Sequence, residues 1–302
     1  MINFKNLNKQ QDVIVIFGAT ASGKSDLALK LAQQIDGVII NADSSQIYAN
    51  APILSNLPSV EEFSQAPHKL FAYLCISQAS SVADWLKLCA LEINNARLQN
   101  KTPIVVGGSG MYISALLYGL SDIPSNKEMK QKSINLYNEI GYDKFFYIMQ
   151  KIDPKFTENN RDAQRLIRAY EVYLISSTTF SYFQNLEKKK YVDANFINIF
   201  INPEREQLYK KINDRTLIMF KRELLAEASK IYAITQNNMH LKKILGLQEV
   251  IANLNNELSL EQTIHIIQQK TRNYAKRQIT WFNNQIKEKN ILKNGNDIFY
   301  KK

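Results

Sequence analysis

The sequence predicts an α/β fold in which a buried parallel sheet carries helices on its faces and one helical segment is inserted. Three observations predict it. The apolar run "VIVIF" at 13–17 ends in Gly18 and a glycine-spaced turn, and "SDLALKLAQQI" follows with apolar residues at helical intervals. Two more short β-branched runs, "GVII" at 37–40 and "PIVVGG" at 103–108, flank the apolar-periodic helix "VADWLKLCALEINNARLQ". Short continuous apolar strands alternating with helices are the pattern of strands buried on both faces. After Gly119 the character changes to a polar connector, "SDIPSNKEMKQKS", and then a largely helical stretch to about residue 190.

One further strand, "ANFINIFI" at 194–201, precedes Asn202-Pro203 and a basic helical region that runs to the end, so the last part is expected to return to the sheet. The lysine run 188–190 reads as a loop, and no internal repeat is visible. The expected division is 1–122 with 199–302 as core and C-terminal helices, and 123–198 as the helical insertion.

The 302 residues are 45% hydrophobic and 22% charged, near globular averages. No apolar run reaches the ~20 residues that span a bilayer, and "MINFKNLNKQQD" lacks an export signal, so a soluble cytoplasmic protein is expected. Cys75 and Cys89 have no metal-ligand spacing and read as reduced core thiols; His68, His240 and His265 are too scattered for a zinc site. The net charge of +10 is uneven. Residues 1–122 carry 8 Lys+Arg against 9 Asp+Glu, 123–202 carry 12 against 9, and 203–302 carry 18 against 10. A basic excess away from the first strand fits a polyanion partner as well as it fits solvated lysine-rich helices.

Gly18-Ala19-Thr20-Ala21-Ser22-Gly23-Lys24-Ser25 satisfies G-x-x-x-x-G-K-[ST] between an apolar strand and an amphipathic helix. The backbone N–H groups of such a loop line a nest at a helix N-terminus, Lys24 neutralises a terminal phosphate, and the Ser25 hydroxyl is placed to ligate Mg²⁺. The loop recognises diphosphate and reads no adenine. Asp43, at the end of "VIINAD", reads either as a metal-linked acid or as a base facing an acceptor, and polar Asn41 interrupts its strand. "PIVVGGSGMY" ends in Gly107-Gly108, which permits close approach of a ligand, and in Ser109.

Taken together, "GATASGKS", "NADSSQIY", "VVGGSGMYISALLYGL", "DAQRLIRAYEVY" and "TRNYAKRQITWF" resemble, in order, the motifs of the tRNA dimethylallyltransferases. The resemblance implies a P-loop NTPase-like parallel sheet core with a helical, tRNA-binding insertion domain that closes over the anticodon arm. It implies a monomeric, Mg²⁺-dependent enzyme that holds dimethylallyl diphosphate in residues 18–25 and transfers its five-carbon group to the N6 amine of the adenosine next to the anticodon. Asp43 is then the general base, with Ser109 and Arg215 at the reacting centre and Thr20 near the diphosphate. The tRNA contacts it implies are Asp43, Ser44, Ser45, Gln46, Ser109, Gln131, Gln164, Arg165, Leu166, Ile167, Arg168, Lys243, Gly246, Gln248, Arg272, Lys276 and Arg277.

If "KTRNYAKRQITW" is helical, Lys270, Tyr274, Arg277 and Trp281 share a face, with Arg272 and Lys276 on another. That face reads as RNA-binding or, for Tyr274 and Trp281, as core. The chain departs from the family pattern at Ala19, at "ANAPILSNLPS", at "APHKLFAYL" and at Gly246-Leu-Gln-Glu. Two other classes share parts of this pattern: a small-molecule kinase, which would turn over ATP without RNA, and a non-catalytic RNA-binding protein.

Overall fold

A computed structural model describes residues 4–235 and 244–295. Two compact units form: Met1–Leu117 with Tyr191–Lys302, and Tyr118–Lys190. The borders therefore fall at 117/118 and 190/191, five and eight residues earlier in the chain than the expected 122/123 and 198/199.

The first unit holds a six-stranded, all-parallel sheet. Its strands are β1 (Asp12–Gly18), β2 (Gly37–Asn41), β3 (His68–Lys69), β4 (Thr102–Gly107), β5 (Asn195–Ile201) and β6 (Asn290–Leu292), in the spatial order β3-β2-β4-β1-β5-β6. Every residue of β1, β2 and β4 is buried, as the unbroken apolar runs require of strands covered on both faces. β5 pairs with β1 from Asp12↔Asn195 to Gly18↔Ile201. The return of the chain to the sheet is thus a full-length pairing, and it places all of β5 in this unit. The edge strands β3 and β6 are three residues or fewer, too short to show a period in the sequence.

Helix α1 (Lys24–Ile35) buries Leu27, Ala28, Leu31 and Ala32 on Ile14, Ile16, Ile39 and Ile104. Helices α2 (Val60–Gln65) and α3 (Val82–Leu98) follow; α3 starts in a capping box between Ser81 and Asp84 and buries Trp85, Cys89 and Ile93 at helical spacing. Cys89 is a core thiol as expected, whereas Cys75 is exposed in a loop. Helix α4 (Gly110–Tyr118) leaves the end of β4.

The second unit contains α5 (Lys127–Ile152), α6 (Pro154–Asn159), α7 (Ala163–Ser176) and α8 (Phe180–Asn185) around Phe145, Met149, Phe156 and Leu166. The second half of the expected polar connector is the first turns of α5, which Asn126 caps through the N–H groups of Glu128 and Met129. The 26-residue α5 kinks at Gly141, where φ is 79°. Leu120 and Lys189 exchange backbone hydrogen bonds (3.1 and 2.9 Å), so the chain enters and leaves this unit as a paired ladder rung. The lysine run lies in a loop, as read.

In the first unit, α9 (Arg205–Lys221), α10 (Leu224–Thr235), α11 (Leu247–Leu254) and α12 (Leu260–Gln285) complete the basic C-terminal region. They form a second core with Ala51, Leu54 and Ile76. The buried Glu227 carboxylate accepts the N–H groups of Ile53 (2.7 Å) and Leu54 (2.8 Å), fixing the segment "ANAPILSN" on α10.

The ends of β2 and β4 approach without clearance: a Cβ on Gly107 would lie 2.0 Å from the Ala42 carbonyl oxygen. Gly107→Ala is expected to lower unfolding stability by about 1–3 kcal/mol, the range for overpacking a core. Urea unfolding would show it as a lower midpoint at an unchanged slope.

Candidate functional site

Three loops meet at the carboxyl ends of β1, β2 and β4, the edge where ligands bind in open parallel sheets. The first is the phosphate loop, Gly18–Ser25. Gly18 must be glycine because a Cβ there would lie 2.4 Å from the Ile201 carbonyl oxygen of β5. Gly23 (φ 94°) and Ala21 (φ 61°) take left-handed conformations that curl the loop toward the start of α1. Ala19 is fully buried against Leu208, Ile212 and Ala275, so α9 and α12 brace the loop from one side. The Ser22 hydroxyl is buried with no hydrogen-bond partner among the described residues, and Ser25 is exposed in the first turn of α1.

Lys24 Nζ donates to the Ala19 carbonyl at 2.6 Å across this loop. Burial lowers its pKa to about 8, against the opposing pull of the Asp43 carboxylate and with the help of the Arg215 charge. Arg215 comes from α9 and donates to Thr20 Oγ1 at 2.7 Å. Burial lowers its pKa as well, and Asp43 again opposes the shift. Two cations and one carboxylate therefore share a poorly solvated cleft.

The second loop carries Asp43, and its backbone is clamped by Asn41. The Asn41 amide accepts the Asp43 N–H (2.8 Å) and donates to the carbonyls of Asp43 (3.0 Å) and Leu70 (3.0 Å). The Trp85 indole N–H in turn donates to the Asn41 carbonyl at 2.8 Å. Asp43 Oδ1 accepts the Ser45 N–H at 2.9 Å, which turns Oδ2 toward Gly108, 3.4 Å from where a Cβ would stand. One carboxylate oxygen is thus spent on orientation and the other is presented to the cleft.

The third loop carries Gly108 and Ser109. Ser109 Oγ accepts the Ser44 N–H (2.8 Å) and donates to Ser44 Oγ (3.0 Å), joining the ends of β4 and β2. Ser109 is therefore a buried strut, with its hydroxyl already engaged.

Asp43, Ser109, Thr20, Lys24 and Arg215 are brought together as expected. The remaining expected contacts scatter. Ser44 is exposed and Ser45 half-buried at the cleft, while Gln46 spends its amide on the carbonyls of Ser55 (3.2 Å) and Asn56 (2.7 Å). Arg272 donates to Asn213 at 2.7 Å beside Tyr209, and Arg277 lies over the Tyr274 ring at 5.9 Å, with Lys276 exposed. Tyr274 itself is half-buried, and burial pushes its hydroxyl pKa up, with Asp43 adding to the shift. Lys270 pairs with the buried Glu249, and the Trp281 ring packs on Gly110, so this face divides between core and surface. Gly246 (φ 94°) starts α11 from a buried position, Gln248 is exposed, and Lys243 lies outside the described residues.

In the second unit, Gln131, Gln164 and Arg165 are exposed and Ile167 is half-buried. Leu166 is completely buried in that unit's core, so its side chain is corrected from RNA contact to packing. Arg168 pairs with Glu171 at 2.7 Å and donates to the carbonyls of Ile123 (3.3 Å) and Pro124 (2.8 Å), which makes it a brace for the segment leading into α5.

Sequence reasoning missed Gln278. It is buried on α12, and its amide accepts the Thr20 N–H (2.9 Å) and donates to the Gly108 carbonyl (2.9 Å). Its sequence signal is slight: one uncharged polar residue between Arg277 and Ile279 on an amphipathic helix.

Among the described residues no group of three His, Cys, Asp or Glu side chains is set to cage a metal. The donor set, one serine hydroxyl beside an anion nest, fits Mg²⁺ held chiefly by substrate phosphates and water. No helix among them is long and apolar enough to cross a membrane.

Residues 46–285 match the family model described as IPP transferase, and Asp43 and the phosphate loop precede the matched range. The tRNA dimethylallyltransferase of Rickettsia bellii (strain OSU 85-389) is 40% identical over 293 residues, covering 96% of this chain and 93% of that protein. That of Ehrlichia ruminantium (strain Welgevonden) is 40% identical over 279 residues, covering 91% and 92%. Among solved structures, a eukaryotic dimethylallyltransferase acting on tRNA superposes with a TM-score of 0.80 at 26% identity, covering 96% of this chain and 75% of that one. The tRNA delta(2)-isopentenylpyrophosphate transferase of Staphylococcus epidermidis gives 0.67 at 28% identity, covering 94% and 93%.

The lowered Lys24 pKa has a measurable sign. The ammonium form binds an anion, so affinity for an organic diphosphate is expected to hold steady below about pH 8 and to decline as pH rises through it. Above that pH, binding should take up protons. Calorimetry in buffers of different ionisation enthalpy measures both, and an affinity flat across the range with no proton uptake would show that burial does not lower the Lys24 pKa in the empty site.

Proposed function

The chain belongs to the IPP transferase family, and from that premise we propose that it transfers a dimethylallyl group from dimethylallyl diphosphate to tRNA. The acceptor is the exocyclic N6 amine of the adenosine 3′-adjacent to the anticodon, diphosphate is released, and the enzyme works as a monomer. The observation that carries this reading is the pairing of a diphosphate nest with an oriented carboxylate in one cleft. A phosphotransferase needs the nest; a proton-accepting group presented across from it suits an attacking amine.

Each residue then has a defined task. The N–H nest and Lys24 hold the diphosphate, and Arg215, fixed through Thr20, adds a second cation beside it. As the allylic C–O bond breaks, its electron pair leaves with the diphosphate, where preorganised donors in a poorly solvated site stabilise the growing charge. The N6 lone pair forms the new C–N bond. The proton released from nitrogen passes to Asp43 Oδ2, the oxygen free of the Ser45 hydrogen bond. Mg²⁺, held by Ser25 and the diphosphate, would supply further charge neutralisation on the leaving group. Ser109 and Asn41 keep the Asp43 loop in place.

RNA needs a surface beyond the cleft, and α9 with α12 offers one. Arg205 and Arg272 lie over the Tyr209 ring at 5.0 and 6.0 Å, and Tyr209 packs beside Ala19 and Ala21 of the phosphate loop. Guanidinium groups held on an aromatic face suit the phosphates and unstacked bases of a single-stranded loop.

The deciding experiment is transfer of label from dimethylallyl diphosphate to unmodified tRNA, with an ATP-only control and a tRNA lacking the target adenosine. Product confined to the complete reaction supports the reading; phosphorylated product from ATP, or tight tRNA binding without transfer, favours the kinase or the RNA-binding alternative. Asp43→Ala is expected to slow transfer by about 10²–10⁴-fold, the usual span for a general base, with tRNA affinity retained. Arg272→Ala is expected to weaken tRNA binding and to reduce the slope of log affinity against log salt by about one unit, with donor affinity unchanged.

A further inference from the structure

Gln278 stands between the two halves of the reaction centre. Its Oε1 accepts the Thr20 N–H of the phosphate loop, and its Nε2 donates to the carbonyl of Gly108, the residue that Asp43 Oδ2 faces. One planar amide therefore spans from the loop that holds the leaving group to the strand end beside the base. The contact is close enough that a Cβ on Gly108 would lie 2.6 Å from Nε2. Helix α12 cannot slide to relax it. One turn later, Phe282 is completely buried against Phe17 (4.9 Å between ring centres) and Phe200 (5.8 Å), and Trp281 packs where a side chain on Gly110 would be.

The same residue sorts the loop's donors. Thr20 N–H is turned onto Gln278 and away from the anion nest, while Thr20 Oγ1 receives Arg215. Arg215 and the loop backbone are thereby fixed against the same helix that fixes Gly108. We propose that Gln278 is a positioning residue that sets the spacing between the bound diphosphate and the Asp43 carboxylate, and so the alignment of the attacking amine with the allylic carbon. Gln278 is buried and both ends of its amide are engaged by the backbone, so its effect is expected on the chemical step. The proposal rests on the transferase reading above.

Two variants test it. Gln278→Met keeps the length of the side chain and loses both hydrogen bonds. Gln278→Glu, when ionised, still accepts from Thr20 but cannot donate to Gly108; when protonated it does both, as glutamine does. Single-turnover transfer at saturating donor and tRNA is expected to fall by about 10²-fold in the Met variant, the scale of an ångström-sized misplacement. Dissociation constants for tRNA and for dimethylallyl diphosphate should stay within about threefold of wild type, as expected when uniform binding is untouched. In the Glu variant, burial and the Asp43 carboxylate favour the neutral acid while Arg215 and Lys24 favour the ionised one, and the rate relative to wild type should climb as pH is lowered through the range where the carboxyl takes up its proton. A purely structural role would not produce that pH signature.

Wild-type rate in the Met variant overturns the proposal, as does a loss confined to the two dissociation constants. A Glu-to-wild-type ratio that is flat with pH overturns it too, and this reading stands even if the Met variant does not fold. Absence of transfer in the wild-type control overturns the function reading instead, and the proposal with it.

Discussion

Everything at the cleft depends on the absence of clearance where β4 passes β2. The Ala42 carbonyl occupies the place of a Gly107 side chain, and the Ser109 N–H donates to that same carbonyl at 3.2 Å. Two strand ends locked this tightly behave as one block. Asp43 is one residue beyond Ala42, and Gly108 one beyond Gly107, so a carboxylate and the backbone it faces inherit the rigidity of the sheet. The position of the Asp43 carboxylate is therefore set by core packing, with hydrogen bonds from Asn41 and Ser45 refining its direction.

The electrostatic arrangement follows from that geometry. Lys24 and Arg215 each lose affinity for their proton through burial, and each recovers part of it from Asp43. A buried cation is costly unless an anion approaches, so the cleft gains when an anion enters. The carboxylate keeps the cations charged without neutralising them, since its own oxygens are turned to Ser45 and to Gly108. The hydrogen bond of Lys24 to the Ala19 carbonyl is weaker than one to a phosphate oxygen, because charge-assisted pairs on both sides are the stronger class.

The sheet and the loop were legible in the sequence because both write regular signals: the five-residue apolar run of β1, the short β-branched runs of β2 and β4, and fixed glycine spacing at 18 and 23. β3 and β6 were not, since two or three residues carry no period. Asp43 was visible as a position at a strand end, but its two readings differ only in what stands opposite, which periodicity cannot show. Asn41 looked like a flaw in a strand and is the clamp of the Asp43 loop. Gln278 was hidden because its partners are a backbone N–H and a carbonyl 258 and 170 residues away. Main-chain partners leave no trace in residue type. The Leu166 side chain was misread for a related reason: a motif gives spacing, but burial decides which of its members face outward.

The excess positive charge shows the same limit from another side. Counting charges gave a basic C-terminal third without saying whether its cations were committed. In the structure they divide by what holds them. Lys270 lies on the buried carboxylate of Glu249, as Arg168 of the second unit does on Glu171, where the pair is locally neutral. Arg205, Arg272 and Arg277 rest on tyrosine rings, as Lys151 and Arg161 do on Tyr147 and Phe146 in the second unit. A ring orients a guanidinium through its quadrupole but leaves the full charge to act outward. Of two arginines with equal formal charge, the one on an aromatic face thus attracts a polyanion more strongly than the one on a carboxylate. Alternation of basic and aromatic residues is therefore a better guide to an RNA-facing surface than net charge, provided burial has first removed the rings that belong to the core.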